Sequence, residues 1–142
     1  MKISARNQFA GTVVAIKEGA VNGVVAIEVA PGQMVKADIT MDAIRELDLA
    51  EGKKAIAVVK ASSVMFADGA ERLALSARNQ FAGKIVLVEK GAVNGRVVLE
   101  TATGLRLSGS ITNEAIEELG LAEGVEALAV VKSTDVMVGV EE

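Results

Sequence analysis

The chain has 142 residues, of which 51% are hydrophobic and only 2% aromatic, and its formal net charge is −4. It contains no cysteine and no histidine, which excludes disulfides, thiolate nucleophiles, imidazole bases and the usual soft ligands for zinc, copper or iron. The negative charge argues against general nucleic-acid binding, because affinity for the phosphate backbone depends on clustered lysine and arginine. Any anion site must therefore be local.

The N-terminal sequence MKISARNQFAGTVVAIKEG lacks the features of an export signal. Arg6, Asn7 and Gln8 interrupt its apolar stretch, and no small-residue cleavage site follows. The longest apolar runs, such as residues 55–59, have the length of a strand and are too short to span a membrane. We therefore expect a soluble cytoplasmic protein with no membrane partner.

The first predicted strands come in quick succession after the N-terminus. Pro31 and Gly32 mark a turn, and Thr40 is a good N-cap for a short helix that ends near Gly52. In chain order, the pattern predicts strands over residues 9–17, 24–30 and 33–39, the helix, a strand over residues 54–60 and an extended tail at residues 64–65.

The second half of the chain repeats the first. The segment SARNQFAG at residues 4–11 recurs letter for letter at residues 76–83, an offset of 72 residues. The same offset relates GAVNG, LAEG and AVVK in the two halves, with no insertion or deletion. We therefore expect two modules, residues 1–69 and 73–142, with their seam in the polar stretch between them.

Strand, strand, strand, helix, strand is the order of a small OB-like barrel, although another α+β sandwich has the same order. OB-like barrels often bind single-stranded nucleic acid or sugars through exposed aromatic side chains. Each copy offers little more than Phe9 or Phe81, which we interpret as core residues. We therefore do not expect nucleic-acid binding.

Two short segments in each copy contain candidate anion donors. One is SARN, and the other is KAS in the first copy and KST in the second. An oxyanion needs N–H groups, hydroxyls and at least one cation around its oxygens. Neither segment of the first copy contains a carboxylate, which suits a fully deprotonated dianion, whereas a protonated phosphate also needs an acceptor. Singly, each segment is more often a turn, a strand end or a cap, but their joint recurrence favours a function.

Together, SARNQFAG, GAVNG, the SIT or DIT segment, LAEG, and VVKA or VVKS resemble the Mop domains, also called molbindins. The resemblance spans nearly the whole chain, and two modules without a DNA-binding or ATPase domain resemble the tandem members of this family. It implies a mainly β fold in which each module is a five-stranded OB-like barrel with one short helix. It also implies a homotrimer that holds molybdate or tungstate, mainly at contacts between modules, and needs no cofactor.

The resemblance further implies which residues hold the anion. The principal-site residues would be Ser4, Arg6, Asn7, Thr40, Lys60, Ala61 and Ser62 in the first copy, and Ser76, Arg78, Asn79, Thr112, Lys132, Ser133 and Thr134 in the second. A site on the symmetry axis would match the turn residues Gly19, Ala20, Val21 and Asn22, and Gly91, Ala92, Val93 and Asn94. A plain glycine-containing hairpin explains that turn equally well.

The two copies differ at positions that bear on these expectations. Asp135 stands where the first copy has Ser63, so a carboxylate close to Lys132 would weaken one anion site if it points inward. Arg96 and Arg106 replace apolar residues of the first copy, which indicates a different neighbour or a wetter surface. We therefore expect the halves to bind unequally.

The predicted function is storage and buffering of molybdate or tungstate, without chemical turnover. The alternative is a module that senses ligand occupancy or interacts with a protein partner. We do not expect an enzyme, because the nearest carboxylate pair, Glu117 and Glu118, faces different sides of a helix and is expected to be solvated. The lack of an extra domain favours storage.

Overall fold

A computed structural model of the chain describes residues 2–141, and these residues are mainly β. The first half contributes β1 (Asn7–Glu18), β2 (Asn22–Ala30), β3 (Gln33–Thr40), α1 (Met41–Glu46), β4 (Lys54–Val59) and β5 (Met65–Asp68). The second half contributes β6 (Asn79–Lys90), β7 (Asn94–Thr101), β8 (Arg106–Thr112), α2 (Asn113–Glu118), β9 (Glu126–Val131) and β10 (Met137–Gly139). A one-turn 3₁₀ helix, Ala61–Ser63 or Ser133–Asp135, precedes the last strand of each half.

The predicted order of strands and helix is confirmed, and so is the N-cap. The hydroxyl of Thr40 accepts a hydrogen bond from the backbone N–H of Ala43 at 3.1 Å, as Thr112 does from Ala115. The helix α1 is shorter than predicted, because Leu47 caps its C-terminus and Asp48 adopts a positive φ of 51°. A residue in that left-handed region cannot continue a right-handed helix.

The first compact unit combines the residues up to Val59 with the segment that begins at Lys132. Its five-stranded sheet has the order β10-β4-β1-β2-β3, and all neighbouring strands are antiparallel. The edge strand β10 also contacts the opposite edge strand β3, so the sheet curls into a half-barrel. A bulge between Val13 and Ala15 accompanies the curvature of β1.

The second compact unit consists of residues 60–131. Its sheet has the order β5-β9-β6-β7-β8, again with antiparallel neighbours. The bulge recurs between Ile85 and Leu87, at the same place in the repeat. The prediction of a mainly β fold with two five-stranded sheets and one short helix in each is therefore confirmed.

Each unit takes its fifth strand from the other copy of the repeat. The strand β10 from the second copy pairs with β4, and β5 from the first copy pairs with β9. The compact units are therefore distinct from the predicted modules, residues 1–69 and 73–142, which delimit the copies along the sequence. The exchange cannot be predicted from hydrophobic periodicity, because the final strands of the two copies have a similar pattern of apolar residues.

The core of each unit is built from aliphatic side chains that alternate inward along the strands. Val13, Ile27 and Val35 are buried in the first unit, as are Ile85, Leu99 and Leu107 at the same repeat positions in the second. Phe9 and Phe81 are 7% and 4% exposed, which confirms them as core residues rather than stacking platforms. These two aromatic rings therefore belong to the cores of the barrels.

We predict that Gly11→Ala destabilises the first unit. A Cβ at Gly11 would lie against the carbonyl group of Glu28 and 2.9 Å from Cγ2 of Ile27, so β1 and β2 would have to separate. Overpacking of this kind lowers the free energy of unfolding by about 1–3 kcal/mol, measured by urea denaturation. The control is Ala10→Ser, an exposed neighbour that should change stability by less than about 0.5 kcal/mol. Equal stability of both variants would contradict the close approach of the strands.

Candidate oxyanion site

The SARN segment lies immediately before or at the start of β1 in the first unit and of β6 in the second. Ser4 and Arg6 are exposed, and so are Ser76 and Arg78. Arg6 folds back on its own segment, donating from Nε to the carbonyl oxygen of Ser4 at 2.9 Å and from Nη2 to that of Ile3 at 3.4 Å. The guanidinium has five N–H donors in total, so donors remain for an anion.

The asparagine of the same segment lies inside the protein. Asn7 and Asn79 are each 2% exposed and begin β1 and β6. The side-chain amide of Asn7 donates to the carbonyl oxygen of Val59 at 3.2 Å, and Val59 is also its register partner in β4. The geometry therefore gives Asn7 a bracing role between two strands, whatever it contributes to a ligand.

The glutamine that follows SARN also braces the backbone, a role that the sequence analysis did not assign. Gln8 donates to the carbonyl oxygen of Ala5 at 3.2 Å. Gln80 exchanges two hydrogen bonds with the backbone of Leu73, at 2.8 and 2.9 Å, and donates to Ala77 at 3.3 Å. The exposed serine and arginine therefore project from a segment that its neighbouring amides hold in place.

Thr40 and Thr112 lie next to the hairpin turns that contain Asn22 and Asn94. Thr40 is the register partner of Asn22 in the β2–β3 pair, and Thr112 is that of Asn94 in β7–β8. The next residue, Met41, donates its backbone N–H to the carbonyl oxygen of Val21 at 2.7 Å. The start of each helix is therefore tied to the turn that precedes the second strand.

The turn residues Gly19, Ala20, Val21 and Asn22, and Gly91, Ala92, Val93 and Asn94, are exposed. Val21 and Val93 are 74% and 70% exposed, a large value for an apolar side chain. Glycine is required at the first position, since a Cβ at Gly91 would lie 2.6 Å from the carbonyl oxygen of Asn94. The tips of both hairpins are therefore tight and accessible.

One residue near the second turn was not identified from the sequence. Asn113 donates from its side-chain amide to the carbonyl oxygen of Gly91 at 2.9 Å, and its own Oδ1 is buried without a hydrogen-bond partner among the described residues. The first copy has Met41 at this position. The two turns therefore have different supports, and only a comparison of the copies at this position gives any sequence signal.

The second donor segment of each copy starts at the point where the chain passes from one unit to the other. Lys60 directly follows Val59 and is the first residue of the second unit, and Lys132 begins the C-terminal segment of the first unit. Both lysines are exposed. The 3₁₀ helix Ala61–Ser63 contacts β8, and Ser133–Asp135 contacts β3.

The strand pairing relates each lysine segment to the SARN segment of its own copy. Val59, directly before Lys60, pairs with Asn7, and Val131, directly before Lys132, pairs with Asn79. The first unit contains Ser4, Arg6, Asn7 and Thr40 together with Lys132, Ser133 and Thr134, and the second contains Ser76, Arg78, Asn79 and Thr112 together with Lys60, Ala61 and Ser62. We therefore define the donor set of each copy as its SARN segment and its own lysine segment, of which only the second is followed by a carboxylate, that of Asp135.

The arginines that distinguish the second copy pair with carboxylates on the surface. Arg96 lies 3.4 Å from Glu89 and donates to Ser108 at 3.1 Å, and Arg106 lies 2.7 Å from Glu100. These pairs are exposed and contribute little stability. They make the outer face of the second unit wetter, which is one of the two alternatives that the sequence left open.

Two surface concavities lie away from the predicted donors. One of about 540 Å³ is lined by Gly11, Lys54 and Ile56 among others, and one of about 500 Å³ has Glu100 and Glu126 in its wall. Carboxylates in the wall disfavour an oxyanion there. No cluster of carboxylates suited to a metal ion occurs in residues 2–141, and no helix in that range is long and apolar enough to cross a membrane.

Both copies match one family model, that of the TOBE domain, over residues 3–66 and 75–138. The molybdenum transport protein ModE of Herbaspirillum seropedicae is 44% identical over 142 residues, which are 100% of this chain and 53% of that protein. Molybdenum-pterin-binding protein 2 of Clostridium pasteurianum is 52% identical over 66 residues, which are 46% of this chain and 97% of that protein. The chain spans about half the length of the ModE relative.

A solved structure is similar over the whole length. The cytoplasmic molybdate-binding protein ModG, crystallised with molybdate bound, has a TM-score of 0.94 and 45% sequence identity. The match covers 99% of this chain and 100% of that one. These matches confirm the resemblance predicted from the repeated motifs.

We predict that Asn7→Ala destabilises the protein even without ligand. The substitution removes the amide that donates to the buried carbonyl group of Val59, and loss of one buried partner costs about 1–3 kcal/mol of unfolding free energy. Ser4→Ala, at an exposed position of the same segment, is the control and should change stability by less than about 0.5 kcal/mol. Both are measured by urea denaturation in anion-free buffer. A stable Asn7→Ala protein would mean that Asn7 has no bracing role.

Proposed function

The chain belongs to the TOBE-domain family, and from this membership we propose that it binds molybdate or tungstate in the cytoplasm for storage and homeostasis. Its relatives include the molybdate-binding protein ModG, which it matches over the full length of both chains. In this proposal the protein holds the oxyanion and releases it without changing it chemically. Assembly as a homotrimer is part of the proposal.

The observation that carries the proposal is the state of two arginines at the same place in the repeat. Within residues 2–141, Arg6 and Arg78 are exposed and make no ion pair, whereas Arg45, Arg96 and Arg106 each pair with a carboxylate. Arg72, in the polar stretch between the copies, is also exposed and outside these pairs, but it has no counterpart at the repeat offset. A guanidinium without a carboxylate partner keeps its charge and its fork of N–H groups available for a tetrahedral oxyanion. Lys60 and Lys132, also exposed and outside the ion pairs, supply the second cation in each donor set.

Affinity requires that several of these donors act together. Micromolar binding corresponds to about −8.2 kcal/mol, and association costs at least about 4 kcal/mol before any net affinity appears. Charge-assisted hydrogen bonds contribute about 1.5–3 kcal/mol each, so one exposed arginine is too little. We therefore propose that a module of a neighbouring chain completes the enclosure around each anion and excludes water from it.

The exposed hairpin tips are the proposed second kind of site. Their tight glycine turns leave backbone groups at the surface, and Val21 and Val93 are apolar and highly exposed there. In a trimer, three such tips meet on the symmetry axis, where backbone groups would line an anion and the valines would be covered. This site needs no side-chain cation.

The alternative function is a sensor that reports occupancy to a protein partner. It is favoured by one finding, that a ModE relative contains the matched region within a chain about twice as long. Pull-down from cell extract with and without molybdate distinguishes the two functions. A partner retained only in the presence of molybdate would favour sensing over storage.

We predict that Arg6→Ala combined with Arg78→Ala abolishes tight binding at the principal sites. Truncating one partner of a buried charge pair costs about 2–5 kcal/mol, which corresponds to a loss of affinity of at least about thirtyfold. The protein should remain folded, because both side chains are exposed before the anion binds. Titration calorimetry with molybdate measures the affinity and the number of sites.

The matched control is Arg45→Ala combined with Arg106→Ala. These arginines are also exposed, but each is paired with a carboxylate, so their removal should leave molybdate affinity unchanged. Unchanged affinity in the Arg6→Ala/Arg78→Ala protein would show that SARN is structural and that the wrong cations have been assigned.

We also predict that the protein prefers molybdate and tungstate to phosphate. The donor set of the first copy contains no carboxylate, and a protonated phosphate at neutral pH also requires an acceptor. Molybdate at about one hundred times its dissociation constant should add about 2.7 kcal/mol of stability per independent site, seen as a rise in melting temperature. Phosphate at the same concentration should give little or no rise, and an equal rise would refute this selectivity.

A further inference from the structure

The two units differ in the side chain that closes the barrel. In the second unit, the edge strands β5 and β8 face each other, and the ring of Phe66 in β5 lies directly against Gly109 in β8. A Cβ at Gly109 would lie 2.7 Å from Cζ of Phe66, still closer to its Cε2, and 3.3 Å from Cβ of Val64. The phenyl ring therefore occupies the space that any larger residue at position 109 would need.

The first unit has a different pair at the same register positions. Val138 pairs with Ala57 in β4, as Phe66 pairs with Ala129 in β9. Ala37 pairs with Val25, as Gly109 pairs with Val97, and Ala37 is fully buried. The second unit therefore combines the large Phe66 with the smallest residue, Gly109. The corresponding residues of the first unit, Val138 and Ala37, are closer to each other in size.

The two pairs match only in the exchanged arrangement. If each copy kept its own final strand, Phe66 would face Ala37, whose Cβ occupies the space that Gly109 leaves free. Val138 would then face Gly109 and leave a void the size of the missing ring. Both errors are costly where side chains are in close contact, the first as overpacking and the second as a cavity.

We propose that the Phe66–Gly109 contact, together with the smaller Val138–Ala37 pair, determines which final strand each unit accepts. The final strand that is selected is β5 in the second unit and β10 in the first. The size mismatch acts against the wrong strand, as a steric clash does in other specific interfaces.

The test uses the full chain and exploits its lack of cysteine. In the triple variant Ala67→Cys/Leu128→Cys/Ile56→Cys, the cysteine at position 67 of β5 can form a disulfide with either of the other two cysteines. Leu128 is the register partner of Ala67 in β9, and Ile56 holds the same position in β4. After refolding in a glutathione buffer, peptide mass spectrometry gives the ratio of the disulfide to position 128 over that to position 56, within a chain or between two.

With the native packing pairs we expect the disulfide to position 128. The variant Phe66→Val/Val138→Phe exchanges the two side chains. The arrangement in which each copy keeps its own final strand then has the matching sizes. The ratio should then fall at least about tenfold, since overpacking of this size shifts an equilibrium by that factor. Adding Ala37→Gly and Gly109→Ala restores the match and should restore the ratio.

A folded Phe66→Val/Val138→Phe protein with an unchanged ratio would overturn the proposal. If that variant fails to fold, the protein with all four substitutions decides. Recovery of folding and of the disulfide to position 128 supports the proposal, and no recovery refutes it.

Melting temperature gives an independent measure. Gly109→Ala alone should lower it by about 4 °C or more, and Phe66→Val should suppress that loss, whereas additive losses would refute the pairing.

Discussion

Each unit completes its five-stranded sheet with a strand from the other copy. The backbone groups along one side of β4 and of β9 need partners, and β10 and β5 supply them. Neither unit has a complete sheet from its own copy alone. The two halves are thus coupled in folding, although the sequence presents them as independent repeats.

The exchange begins directly after the residues that precede the lysine segments. The unit boundaries fall before Lys60 and Lys132. Val59 pairs with Asn7 and Val131 pairs with Asn79, so each lysine follows a residue that is paired with the SARN segment of its own copy. Asp135 accordingly lies three residues after the lysine of the second copy, whose arginine is Arg78.

Much of the fold was predictable, because local chemistry dictates it. The N-caps Thr40 and Thr112, the strand order and the buried Phe9 and Phe81 follow from capping, periodicity and the scarcity of aromatic residues. The sequence pattern predicts that α1 ends near Gly52, later than it does, because apolar residues continue at helical spacing beyond Asp48, whose φ is already positive.

The exchange and the detailed roles at the site were not predictable from local patterns. Two copies of one pattern accept each other's strands, and the final strands differ at few positions, among them Phe66 and Val138. The motif SARN indicated three anion donors, yet Asn7 is buried and bonded to Val59. Alternation along a strand that begins within a motif separates its members, with Arg6 facing outward and Asn7 inward.

The proposed binding of the oxyanion by the SARN arginines is tested by anomalous diffraction from crystals grown with molybdate. We expect a molybdenum peak within hydrogen-bond distance of the Arg6 or Arg78 guanidinium, with a lysine of the KAS or KST segment or a second module beside it. Peaks confined to other surfaces, with both guanidinium groups in contact only with solvent or backbone, would contradict it.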